Sequence, residues 1–150
     1  MTNIFDVAKC ILTKRGKMST IKLQFLCYYS QMWHLKFEGK PLFDEDFEAW
    51  EIGPVCRILY DLCKGKFPIC ADDIPSDRLS GEKLCFAALC DVDVVLDYYG
   101  DHDMQWLSEL VRTEKPWVEA REKDFLERKH GFIISKDSIK SSVRSDSGNA

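Results

Sequence analysis

Seven cysteines and three histidines are the residues of this 150-residue chain with the most obvious capacity for chemistry. Thiol catalysis needs a cysteine whose pKa is lowered by a neighbouring histidine or other cation, because the thiolate is the attacking species. His34, His102 and His130 supply the bases, and Cys10, Cys27, Cys56, Cys63, Cys70, Cys85 and Cys90 supply the thiols. Most of these cysteines lie in apolar runs, where a free thiol packs as a small hydrophobe. Cys56, Cys63 and Cys70 recur every seventh residue, yet Pro68 interrupts any helix that would carry all three. They read as structural thiols. For a metal, His34 and Glu38 stand at i,i+4 and Asp44 to Asp46 follow soon after, a carboxylate and imidazole set. Neither a His-Glu-x-x-His nor a paired-cysteine spacing accompanies them, so His34 reads as a solvated residue. Asp93 and Asp97 are of the type that does general acid and base work, but no pocket signal surrounds them, and an exposed acidic helix face is the simpler reading. No catalytic, cofactor or metal site is therefore expected, and the chain reads as non-enzymatic.

Composition sets the surroundings in which these residues act. Against 25 acidic residues stand 21 basic ones, a net charge of -4, which gives no general attraction to a phosphate backbone. A local basic cluster, Arg128, Lys129 and His130 with Lys136, Lys140 and Arg144, reads as a solvated C-terminal region, so nucleic acid is not an expected partner. An odd number of cysteines without a Cys-x-x-Cys pair fits a reducing cytoplasm. The first twenty residues are amphipathic rather than a signal-type apolar block, and no run approaches the eighteen or so apolar residues of a membrane span. The expectation is a soluble cytoplasmic protein with no membrane partner. At this length one domain can bury about 68–70% of the surface its unfolded chain exposes.

Helices must carry most of this chain. Asn3 can cap a helix whose apolar residues Ile4, Val7, Ala8, Ile11 and Leu12 recur at helical spacing until Arg15-Gly16. Ser19 or Thr20 then caps a second, uninterrupted to Gly39 and about five turns long. Its sequence includes KLQFLCYYSQMWHL, residues 22–35, apolar or aromatic almost all round the helical wheel, which marks a central helix with neighbours on several sides. After Gly39-Lys40-Pro41 the acidic residues 42–52 read as irregular or short extended structure. Gly53-Pro54 reads as a helix start, with Val55, Ile58, Leu59, Leu62 and Cys63 buried and Arg57 paired to Asp61. Residues 65–81 read as a loop. A helix over 82–99 buries Leu84, Ala88, Val92, Val95, Leu96 and Tyr99 and turns Phe86, Cys90, Asp93 and Asp97 outward. Asp101 or Asp103 caps another with Met104, Leu107, Leu110 and Val111 inward, and Pro116-Trp117 bends the chain into the charged run 119–129. An extended Phe132-Ile133-Ile134 leads to Ser135, the cap of a short last helix. The expected fold is a mainly α, compact single-domain bundle around a central buried helix, with a domain over 1–140 and a mobile tail over 141–150.

Several of these segments together resemble one family. KLQFLCYYSQMWHL, GKPLFD at 39–44, EAWEIGPV at 48–55, EKPWVEAR at 114–121 and ISKDSIK at 134–140 are similar, in order and spacing, to the signature of the SocA-like Panacea antitoxin domain, a family also known from phage-associated proteins. The resemblance implies a mainly helical antitoxin of a toxin-antitoxin system that neutralises a cognate toxin by direct protein-protein binding. It also leaves open a proteolytic adaptor that delivers a client to a cytoplasmic protease, and a small thiol- or metal-dependent hydrolase is the third alternative. Where the family commonly has Thr-His ahead of the Pro-Trp segment this chain has Val111-Arg112, so a histidine at that place has no counterpart here.

If a partner protein is bound, two stretches offer themselves as its surface. One is the acidic segment with Asp44, Glu45, Trp50 and Glu51, in which Trp50 is an ambiguous aromatic between acids. The other is the face of Phe86, Asp93 and Asp97, with Cys90 between them. An acidic, partly apolar surface suits a basic partner. Trp106 and Trp117 read as packing anchors.

Overall fold

The computed structural model describes residues 1–128 and 131–147. Asn3 opens helix α1 (Ile4–Arg15) with a capping box, its side chain accepting from the Asp6 amide while the Asp6 carboxylate accepts from the Asn3 amide at 2.8 Å. Helix α2 (Thr20–Glu38) begins at Ser19, whose hydroxyl accepts from the Lys22 amide. It ends at Gly39 in the left-handed conformation, its amide bonded to the Leu35 carbonyl. Both helices lie where caps and periodicity predicted them.

The segment after α2 forms strand β1 (Phe47–Trp50), which pairs antiparallel with β2 (Gly53–Val55) on one side and β3 (Ile133–Ile134) on the other. Here the expected helix start at Gly53-Pro54 is corrected. Gly53 has φ 144°, outside any helix, and Pro54 sits on β2 at the edge of the order β2-β1-β3, where a strand tolerates a residue without an amide donor. Helix α3 (Arg57–Cys63) starts only after Cys56. Leu59 and Cys63 are buried as expected, but Ile58 is exposed, and Arg57 pairs with Glu48 at 3.1 Å rather than with Asp61.

Two single 3₁₀ turns, Ala71–Asp73 and Ser76–Arg78, occupy the expected loop. Helix α4 (Phe86–Tyr99) begins four residues later than the sequence suggested, leaving Leu84 outside the helix, half-buried against the core. Asp103 caps α5 (Met104–Val111) by accepting from the Trp106 amide, and α6 (Lys115–Glu127) carries Pro116 in its first turn. Ser135 bonds the Ser138 amide at the start of α7 (Lys136–Ser147), so this helix runs well into the segment expected as a tail, and residues 148–150 lie outside those described. Among the described residues no helix is long and apolar enough to cross a membrane.

Helix α2 is the centre of the molecule: α1, α3, α4, α5, α7 and β2 all pack against it. Leu23, Phe25, Leu26, Cys27, Tyr28, Tyr29, Met32 and Leu35 are buried, which accounts for its lack of a polar face. Phe37, near the end of the helix, is exposed, its ring tilted over Trp33. Two glutamines one heptad apart are buried too. Gln24 accepts from the Cys56 amide and donates to the Cys56 carbonyl, and Gln31 does the same across Leu42 and Phe43. Each side-chain amide thus supplies the donor and acceptor that a neighbouring strand would have given to a buried irregular segment.

Candidate partner-binding surface

Helix α4 buries Ala88, Asp91, Val92, Val95, Leu96 and Tyr99, and its position against α2 fixes which side chains face outward. Outward at positions i, i+4, i+8 and i+12 stand Phe86, Cys90, Val94 and Tyr98. Phe86 is 82% exposed, Val94 45% and Tyr98 68%. This forms an apolar and aromatic stripe on a rigid, 14-residue helix. The outward placement of Phe86, Cys90, Asp93 and Asp97 agrees with the periodicity, and Val94 and Tyr98 extend that face.

The charge of this face differs from the expectation of open acids. Lys14 Nζ donates to Asp93 at 2.7 Å, and Arg15 lies 3.9 Å from Asp97 while donating to Asp101 at 2.9 Å. Arg15 also donates to the Leu96 carbonyl at 2.7 Å, and Lys22 to the Gly100 carbonyl at 2.7 Å. Cations from α1 and α2 thereby satisfy the negative C-terminal end of α4 as well as its flanking carboxylates.

In the acidic segment the structure divides the candidates. Glu45 accepts from the Ile4 amide at 2.9 Å, giving a first-turn N–H of α1 the partner it lacks within the helix. Trp50 is half-buried, its ring edge-on to Tyr60 with the Arg57 guanidinium 5.0 Å from its centre, and its carbonyl accepts from the Trp117 indole at 2.8 Å. Lys136 ties down Asp46 and the Asp44 carbonyl. Only the Asp44 and Glu51 side chains of the named set remain exposed there. The basic cluster is likewise split: Lys136 is engaged with Asp46, while Lys129 and His130 lie outside the described residues.

The histidine reading is corrected outright. His34 is 3% exposed, and its Nδ1 lies 2.8 Å from Oδ2 of Asp91, itself 5% exposed. Asp44 to Asp46 take no part. Asp91 was missed among the acids of α4, although its place three residues after Ala88 and four before Val95 puts it on the inward face. His102 stacks on Trp106 at 3.5 Å between ring centres. Burial pushes the Cys27 thiol well up, and Cys56 and Cys63 to about 11, the opposite of what a nucleophile needs. A second exposed apolar pair, Phe125 and Leu126, borders a groove of about 390 Å³ with Trp117, Val118 and Arg121 on α6, within the run that composition marks only as charged.

Against this geometry, the family model described as antitoxin SocA-like, Panacea domain, matches residues 23–118, more than half of the chain. The match begins in α2 and ends just inside α6, so the ISKDSIK resemblance lies beyond it. No curated protein and no solved structure matches the chain.

Proposed function

The chain belongs to the SocA-like Panacea antitoxin family, and from that premise we propose that it neutralises a cognate toxin by direct binding through the outer face of α4. The observation that carries this reading is the stripe Phe86, Cys90, Val94 and Tyr98, exposed apolar and aromatic side chains aligned along one helix. A soluble domain leaves isolated hydrophobes exposed routinely, whereas an aligned aromatic and aliphatic row is a partner surface. Asp93 and Asp97 flank it and set orientation, and Asp44 and Glu51 form an outlying acidic edge. Glu45 and Trp50 serve the fold.

Co-expression with any candidate toxin encoded beside it tests this. That protein should arrest growth alone, be harmless with the wild-type chain, and co-purify with it at equal stoichiometry. The double variant Phe86→Ser, Tyr98→Ser should lose protection and weaken the complex at least about a hundredfold, since two aromatic anchors at about 2 kcal/mol each exceed that factor. Its melting temperature should stay near the wild-type value because both rings are exposed. Undiminished protection by the folded double variant would remove α4 as the surface. A client that is degraded faster in the presence of this chain would favour the adaptor mechanism over masking.

A further inference from the structure

We propose that His34, Glu38 and Asp91 form a binding site for a divalent metal ion of the zinc class, held by one imidazole nitrogen and two carboxylate oxygens where α2 meets α4. One ligand atom from each of the three lies within 4.8 Å of the others. His34 and Glu38 share a face of α2 at i,i+4, and Asp91 comes in from the buried face of α4, so the set is assembled only by the tertiary fold.

The separations suit the ion. Tetrahedral zinc with bonds of about 2.0–2.1 Å to nitrogen and oxygen holds its ligand atoms roughly 3.3 Å apart. The His34 Nδ1 to Asp91 Oδ2 distance is 2.8 Å, so this pair opens by about half an ångström to admit the ion, and Glu38, at the exposed end of its helix, swings inward. The chemistry of the cluster favours the same occupant. Two carboxylates with oxygens within 4.8 Å of one another beside a buried imidazole repel unless a cation lies between them. The ligand set is of imidazole and carboxylate, which suits zinc and its first-row neighbours, and the exposed side at Glu38 leaves the remaining position to water. Such an ion would clamp α4 to the central helix. The site uses none of the side chains of the partner-surface stripe, so it is tested independently of that surface.

The test is zinc titration by calorimetry of the chelator-treated full chain, with Glu38→Gln and Asp91→Asn beside the wild type, and cobalt as a spectroscopic stand-in. Seven cysteines make thiolate binding the competing explanation. The expected result is one zinc per chain, a rise in melting temperature on loading, at least about tenfold weaker binding in Glu38→Gln, and a cobalt spectrum without the intense thiolate charge-transfer band. Glu38 is exposed, so its variant folds even if Asp91→Asn does not. No stoichiometric zinc, unchanged affinity in Glu38→Gln, or a thiolate band would each overturn the proposal.

Discussion

Single polar side chains inside this core have opposite energetic signs. Gln31 satisfies the Leu42 amide and the Phe43 carbonyl, both buried, so Gln31→Leu should leave a donor and an acceptor without partners and cost about 2–4 kcal/mol. Urea denaturation should show the midpoint falling with the slope unchanged. Gln24 is less exposed to this loss, because the Cys56 carbonyl also accepts from the Tyr60 amide. Tyr28 is the counter-case: its hydroxyl is fully buried with no hydrogen-bond partner among the described residues. Tyr28→Phe should therefore be neutral or stabilising by about 1 kcal/mol, raising the melting temperature by roughly 2–4 °C in a chain of this size. A marked destabilisation would show that the hydroxyl is solvated in the native protein. Neither glutamine was legible in the sequence. Within an all-round apolar segment, an isolated Gln carries no sign of whether it meets water or a crossing backbone, and the same ambiguity placed His34 in solvent.

Elements were legible where the chain carries its own stop and start chemistry. Asn3 with Asp6, Ser19, Gly39 and Asp103 act through bonds to residues within four positions, so α1, α2 and α5 could be bounded without knowledge of the fold. The hairpin β1–β2 was not, because Gly-Pro suits both a helix start and a sheet edge, and the choice is made by contacts distant in sequence. Gly53 lies at φ 144°, and a Cβ there would sit 2.6 Å from Cε1 of Phe25, a fully buried ring of α2. Gly53→Ala should cost about 2–3 kcal/mol through the crowding of that ring together with a backbone angle that alanine rarely adopts. Thermal melting should show the loss. An alanine variant as stable as the wild type would mean that the hairpin can shift off α2. Since β2 also leads into Cys56 and its Gln24 clamp, such a shift should expose the otherwise buried Cys56 to alkylation.

At the scale of the molecule, the sequence showed an acidic chain with an acidic face on α4 and hence a basic partner. The fold changes that inference, because Lys14 and Arg15 arrive from α1, some 79 to 86 residues away, and offset two of the three charges of Asp93, Asp97 and Asp101. No local pattern around α4 reveals those cations, whereas its apolar stripe follows from helical period alone, which is why half of the candidate surface was readable and its electrostatics were not. With one negative charge left beside it, the proposed surface is mainly apolar area, and apolar attraction is insensitive to moderate salt while open charges are screened within about 10 Å at 0.1 M. The affinity of the toxin complex should therefore change by less than about threefold between roughly 50 and 500 mM sodium chloride, with the remaining dependence in the association rate. Lys14→Ala supplies the internal control. Freeing Asp93 from its partner should introduce a salt dependence that the wild type lacks, of a sign set by the charge of the toxin. A wild-type complex that already weakens tenfold or more over that range would move the contact away from the compensated face of α4 toward the exposed carboxylates Asp44 and Glu51.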